Sequence, residues 1–194
     1  MKKISYALGL SMGNNFIGTG IKDLDVDAFA SALKAVMNGE EPEMSYDEAK
    51  ETVNGYFQEL QTKAYGANAE AGKKFLEENK SNEGVVCTPS GLQYKVLNQA
   101  IGQKPTLTNR VKCHYHGTLI DGTVFDSSVQ RGTPAEFGVN QVIAGWVEGL
   151  QLMSKGSKFR FFIPADLAYG DHGAGEVIAP GSALIFDVEL IDIL

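Results

Sequence analysis

The spacing of apolar residues changes once along the chain, near Gly84, and this splits the sequence into halves that obey different folding rules. Before that point only Pro42 interrupts, and apolar residues recur three and four apart, as on one face of a helix. Ile4, Ala7, Leu8, Leu10, Met12 and Phe16 crowd a first short helix that ends in the Gly18–Gly20 region. A second starts near Asp25 or Asp27, whose carboxylates can accept the orphan N–H groups of a first turn. It carries Val26, Phe29, Ala30, Leu33, Val36 and Met37, and stops at Asn38-Gly39, a pair that tolerates the left-handed cap. Ser45-Tyr46-Asp47-Glu48 fits a capping box and opens a third helix that meets no proline up to about Lys80. Its apolar stripe (Val53, Phe57, Leu60, Ala64, Ala67, Ala71, Phe75) is narrow, and Gly55, Gly66 and Gly72 weaken it. At 1.5 Å per residue it would form a rod of roughly 50 Å, longer than a small domain is wide, so part of it is expected to project as a stalk. Two short helices cannot bury their apolar faces against so thin a stripe, which predicts that a second copy of the chain supplies the missing surface. Gly9 and Gly13, one turn apart, would let two backbones approach.

After Ser81-Asn82-Glu83-Gly84 the period falls to two. Leu92–Val96, Val111–Tyr115, Thr123–Asp126, Lys158–Ile163 and Ala183–Leu194 read as strands, separated by turn signals at Pro89-Ser90-Gly91, Asp121-Gly122 and Pro180-Gly181. One helical window, Trp146 to Met153, interrupts them. The pattern predicts an α+β fold, an antiparallel sheet wrapped on a single short helix after an all-α N-terminal region. The expected domains are 1–44, a helical dimerisation domain; 45–83, a long linking helix; and 84–194, the sheet domain.

Composition narrows function by exclusion. The formal net charge of −7 argues against a nucleic-acid partner, which requires a basic face. No apolar run approaches the ~20 residues of a membrane span, so no membrane insertion is expected. Polar residues Ser5, Ser11, Asn14 and Asn15 break any leader-like core after Lys2-Lys3, and the chain reads as cytoplasmic. If a leader was removed ahead of Met1, it is periplasmic or cell-surface instead. Cys87 and Cys113 are too few for a disulfide framework and are expected as free thiols, with one disulfide open to an exported chain.

Catalytic motifs of the phosphate-loop, GxSxG and HExxH kinds are absent. Cys113 and His114 are strand neighbours and point to opposite faces, a poor arrangement for proton transfer. His114 and His116 share a face, yet lack a carboxylate or cysteine at ligand spacing, so no metal is expected. What remains is a set of aromatics beside turns: Tyr115, Phe125, Phe137, Trp146, Phe161, Tyr169 and Phe186. By composition alone these are core residues.

Their local context says more. His114-Tyr115-His116-Gly117, Asp121-Gly122-Thr123-Val124-Phe125-Asp126-Ser127-Ser128 and Val142-Ile143-Ala144-Gly145-Trp146-Val147-Glu148-Gly149-Leu150 resemble the FKBP family of peptidyl-prolyl cis–trans isomerases. The resemblance continues in order through Met153-Ser154-Lys155-Gly156, Ile163-Pro164-Ala165-Asp166-Leu167-Ala168-Tyr169-Gly170 and Leu184-Ile185-Phe186-Asp187-Val188-Glu189-Leu190. Ser5-Tyr6-Ala7-Leu8-Gly9 and the helix leading into Phe75-Leu76-Glu77-Glu78-Asn79 resemble the macrophage infectivity potentiator group within it. That group's cytoplasmic bacterial members, the most similar, are V-shaped dimers with one isomerase domain per chain.

The resemblance implies an enzyme without cofactor that accelerates Xaa-Pro isomerisation in protein folding, with chaperone-like binding of unfolded, proline-containing polypeptides and a homodimer formed through residues 1–44. It implies Tyr115, Asp126 and Tyr169 as catalytic residues. Phe125, Arg131, Val142, Ile143, Trp146, Val177, Ile178 and Phe186 are implied as the substrate-binding set. Trp146 would be the floor, the Ile143 N–H and Tyr169 hydroxyl would be donors to substrate carbonyls, and Asp126 would stand at the rim, bonded to Tyr115 and Arg131. Phe137 and Phe161 are expected behind the site or in the core. Binding of macrolides such as FK506 or rapamycin is a further implication. It is tempered by Ala135 at an aromatic rim position, His116 in place of a common threonine, and a distinct Asp171–Val177 loop. A binding-only module is the rival class; intact Tyr115, Asp126, Trp146 and Tyr169 favour the enzyme.

Overall fold

Capping chemistry places the helices. In a computed structural model describing all residues 1–194, α1 spans Lys2–Gly18, α2 Val26–Asn38 and α3 Tyr46–Asn79. The Asp25 carboxylate accepts from the N–H groups of Asp27 and Ala28 at 3.0 and 2.9 Å, satisfying two orphan donors of α2. Gly39 closes α2 at φ 69°, the left-handed conformation that a Cβ would penalise. Ser45 Oγ accepts from the Glu48 N–H at 3.2 Å and starts α3. Contacts divide the chain into Met1–Leu60 and Gln61–Leu194, so the boundary falls within α3.

The N-terminal unit has little interior. Phe16 of α1 meets Phe29 of α2 edge to face at 5.5 Å, yet neither helix contains a buried residue. Most of its other large apolar side chains, among them Ile4, Tyr6, Leu8, Leu10 and Ile17, are exposed. No helix of the chain is long and apolar enough to cross a membrane.

The C-terminal unit is built on a seven-stranded antiparallel sheet in the order β1-β2-β6-β7-β3-β4, with β5 also pairing β3. The strands are β1 Val85–Cys87, β2 Gln93–Asn98, β3 Arg110–Leu119, β4 Val124–Ser127, β5 Ala135–Gly138, β6 Lys158–Ile163 and β7 Leu184–Ile193. Helix α4, Ala144–Leu152, lies against one face. Alternation decides which side chains meet it: Val111 and Cys113 from β3, Phe159, Phe161 and Ile163 from β6, and Leu184, Phe186, Val188 and Leu190 from β7. Gly145 and Gly149 permit the close approach, since a Cβ on either would fall 2.5 or 2.7 Å from Ile163 or the Phe161 ring. The antiparallel sheet wrapped on one short helix is the α+β architecture expected.

Strands β1 and β5 escape the sequence pattern because three or four residues carry too little alternation to register. Pairing with β2 and with Arg110–Cys113 makes them strands. On the other face of the sheet Phe162 is also buried, because Phe75 of α3 packs on it with ring centroids 6.0 Å apart. Asn79 Nδ2 donates to Gln93 Oε1 at 2.8 Å, and Gln93 Nε2 donates to the Leu76 carbonyl at 2.7 Å. These bonds satisfy two amides that burial would otherwise leave costly. The end of α3 is thereby pinned to the sheet.

Candidate active site

The cavity lies where α4 leaves a gap beside β3, β4 and β7. It encloses about 720 Å³, the size of a small-ligand site. Trp146, in the first turn of α4, is only 4% exposed and forms its base. Around the indole stand Tyr115, Phe137 and Phe186, with ring centroids 5.4, 5.3 and 5.1 Å away and all edge to face. Phe125 packs edge-on against Phe186 at 5.3 Å. Trp146 Nε1 is a buried side-chain donor without a partner, a cost the site bears to keep a broad flat ring there.

Polar groups mark the edge. Tyr115 donates its hydroxyl proton to Asp126 Oδ2 at 2.5 Å. Arg131 Nη1 pairs with Asp126 Oδ1, while its Nη2 donates to the Tyr115 oxygen at 2.9 Å. The guanidinium also lies over the Tyr115 ring, 5.7 Å from its centroid. Desolvation pulls the Asp126 carboxyl upward, but the Tyr115 and Arg131 hydrogen bonds outweigh it and hold it below the usual carboxylate range. Burial, then the bond to Asp126, pushes the Tyr115 hydroxyl above its ordinary value. Both groups therefore keep one protonation state through the neutral range.

Because the folded Asp126 titrates lower than the unfolded one, its stabilisation is present above the unfolded pKa of about 3.9 and lost as pH falls through the folded value. The difference in urea midpoint between the parent and Asp126→Asn should be constant from about pH 6 to 8 and shrink below about pH 4. A difference that grows on acidification would contradict the pairing.

Two further donors remain free. No hydrogen bond within the chain takes the N–H of Ile143, which precedes the first turn of α4, or the hydroxyl of Tyr169, 39% exposed on the opposite wall. Val142 and Ile143 complete the α4 side; Val177 and Ile178 come from the loop ahead of β7. The structure thus brings Tyr115, Phe125, Asp126, Val142, Ile143, Trp146, Tyr169, Val177, Ile178 and Phe186 around one cavity, with Arg131 bonded to two of them at its edge.

Gln141, Ala174, Gly175 and Glu176 also line it and were not foreseen. Phe137, expected behind the site, stands on the wall because β5 turns its ring toward Trp146. Phe161 is fully buried in the core. Outside the cavity, His114 and His116 bond Ser128 and Ser127 at 3.0 and 2.9 Å. No group of three His, Cys, Asp or Glu side chains is placed to hold a metal. Cys87 is exposed and Cys113 buried, both free, and burial pushes the Cys113 thiol up to about 12.

An aromatic slot with an apolar base, free donors at its walls and one fixed carboxylate has the chemistry to take a small apolar ring flanked by peptide carbonyls. Comparison with known proteins agrees. Residues 102–191 match the family described as FKBP-type peptidyl-prolyl cis-trans isomerase, and residues 1–96 match the domain amino terminal to it. The FKBP-type 22 kDa peptidyl-prolyl cis-trans isomerase of Escherichia coli K12 is 46% identical over 193 residues, spanning 98% of this chain and 94% of that protein. The outer membrane protein MIP of Legionella longbeachae is 41% identical over 198 residues, 98% of this chain and 84% of its own. The crystal structure of FkpA from E. coli superposes with a TM-score of 0.76 at 35% identity, covering 98% of this chain and 95% of that one. The chain belongs to the FKBP-type peptidyl-prolyl cis–trans isomerases, in the group that carries this amino-terminal domain, and is an enzyme of that class.

Proposed function

We propose that the cavity catalyses Xaa-Pro isomerisation with the prolyl ring seated on Trp146, and that two such chains act together on unfolded polypeptides. The observation that carries the first part is the set Tyr115–Asp126–Arg131 fixed beside an aromatic base and two free donors.

Rotation about the peptide bond is resisted by ~18–20 kcal/mol of lost resonance. Ahead of proline the two isomers are close in energy yet exchange only over tens to hundreds of seconds. No bond breaks, so the protein's task is to favour the twisted amide over the planar one. The twisted form has the smaller charge separation and gains from an apolar, water-poor slot. Val142, Phe125, Phe186 and the Trp146 ring supply that surroundings. The Ile143 N–H and Tyr169 hydroxyl take the flanking carbonyls and hold the chain while the prolyl bond turns. Asp126 stands beside the twisting carbonyl, where its charge favours the carbon as conjugation to nitrogen is lost. Each ~1.4 kcal/mol removed from the barrier is tenfold in rate.

A protease-coupled assay on Xaa-Pro tetrapeptides tests the reading directly; a rate equal to buffer would end it. Tyr169→Phe, which removes one neutral hydrogen bond, should lower kcat/KM about fivefold. An unchanged value would place the substrate carbonyl elsewhere. Macrolides such as FK506 or rapamycin would occupy the same slot and should inhibit competitively.

The second part rests on the amino-terminal helices. Their exposed apolar side chains are the surface a homodimer would cover. Two cavities on one dimer would engage a long client at two points, raising its avidity without any new contact.

A further inference from the structure

The loop that closes the cavity on the Tyr169 side is fastened at both of its ends by one helix. It runs from the end of the 3-10 turn Ala165–Leu167 to the start of β7. Its tip is closed by paired hydrogen bonds between Ala174 and Ile178, of 2.8 and 3.1 Å. Its base is drawn together by the Gly181 N–H donating to the Gly170 carbonyl at 2.8 Å. The tip that this bridge encloses, Ala174, Gly175, Glu176, Val177 and Ile178, forms one wall of the cavity.

Five residues of α3, Gln61, Tyr65, Asn68, Ala69 and Gly72, meet this loop, and their spacing of four, three, one and three puts them on one helix face. Gln61 Nε2 donates to the Asp171 carbonyl at 3.3 Å, and Asn68 Nδ2 donates to the Pro180 carbonyl at 2.9 Å. Gly181, at φ 76°, passes so near that a Cβ on it would fall 2.5 Å from the Tyr65 carbonyl oxygen and 3.1 Å from the Ala69 nitrogen. Gly72 admits Ala183, whose Cβ would stand 2.9 Å from one placed on the glycine. Gly72 is thus a point of close approach, and its value there offsets the helix propensity it sacrifices.

Of these contacts only Asn68 offers a directional side-chain bond to the end of the loop that leads into β7. We infer that Asn68 is a positioning residue for substrate: by holding the Pro180 carbonyl it sets where the Val177–Ile178 wall stands over the prolyl slot. The inference rests on the isomerase reading of the cavity. It assigns the second half of α3 a part in substrate binding although the helix itself contributes no lining residue.

The wall would hold the prolyl ring, whose shape is the same beside the planar and the twisted amide, so loosening it should weaken uniform binding. In the full-length chain Asn68→Ala should raise KM for an Xaa-Pro peptide about fivefold, the value of one hydrogen bond, with kcat within about twofold. Asn68→Asp, which aims an acceptor at the carbonyl, should exceed that effect. Amide exchange at Ala174 and Ile178 should quicken about fivefold in Asn68→Ala, a readout independent of turnover. Phe75→Ala serves as control: it loosens the same helix from the sheet at Phe162 and should lower the melting midpoint with KM unchanged. Unaltered KM and exchange in Asn68→Ala, or an equal rise of KM in Phe75→Ala, overturns the assignment. A parent protein with no isomerase activity would instead refute the reading of the cavity, and exchange alone would then decide whether Asn68 fixes the loop.

Discussion

Asp126→Ala is expected to lower kcat/KM on a proline tetrapeptide by about ten- to a hundredfold, with little change in thermal midpoint. The size follows from the kind of interaction lost. A neutral hydrogen bond is worth about 1 kcal/mol net, whereas one to a charged group is worth about 1.5–3 kcal/mol, and more where water is scarce. Asp126 is held charged by Tyr115 and Arg131, so its field is present before substrate arrives and needs no reorganisation during the turn. Its side chain is 41% exposed, so its ion pair adds only modestly to stability. Asp126→Asn should fall between parent and alanine variant, keeping the Tyr115 bond and losing the charge. If the alanine variant isomerises as fast as the parent, the reacting carbonyl lies away from this carboxylate.

The divided legibility of the site has a physical origin. Strand alternation and one helical turn mark Trp146, Tyr115, Phe125 and Phe186 only as inward-facing; they are visible as site residues because they stand in ordered motifs that resemble the FKBP family. Gln141, Ala174, Gly175 and Glu176 are invisible because nothing in their residue types marks them. They reach the cavity only through the Ala174–Ile178 bridge and the turn ahead of α4. The same holds at the far end of α3. Asn79 reads as a surface residue, and its burial depends on Gln93, fourteen positions on, which no local pattern announces. Gly72 reads as a flaw in a helix; Ala183, over a hundred residues later, makes it a requirement. Local periodicity thus gives elements and their inward faces, while short strands, loop walls and buried amides depend on partners distant in sequence.

Tyr6→Asp combined with Leu10→Asp is expected to split the homodimer proposed for the full-length protein into monomers at micromolar concentration, as read by sedimentation velocity. Helix α1 carries Ile4, Tyr6, Leu8, Leu10 and Ile17 on more than one side, all exposed. Large apolar side chains exposed on several sides of one helix form a surface that a partner can bury. Each large apolar side chain so covered contributes about 1.5–3 kcal/mol, and several from each chain reach the strength of a stable homodimer. A carboxylate forced into that surface without a partner costs several kcal/mol, and the symmetric dimer would contain four of them. The cavity is lined entirely by residues between Tyr115 and Phe186, so the variant should isomerise short peptides within about twofold of the parent. Its catalysis of proline-limited refolding of a whole protein should fall at least tenfold, because an effective concentration is lost along with the second site. A parent protein already monomeric, or a monomeric variant that refolds clients equally well, would leave a single isomerase domain as the unit of function.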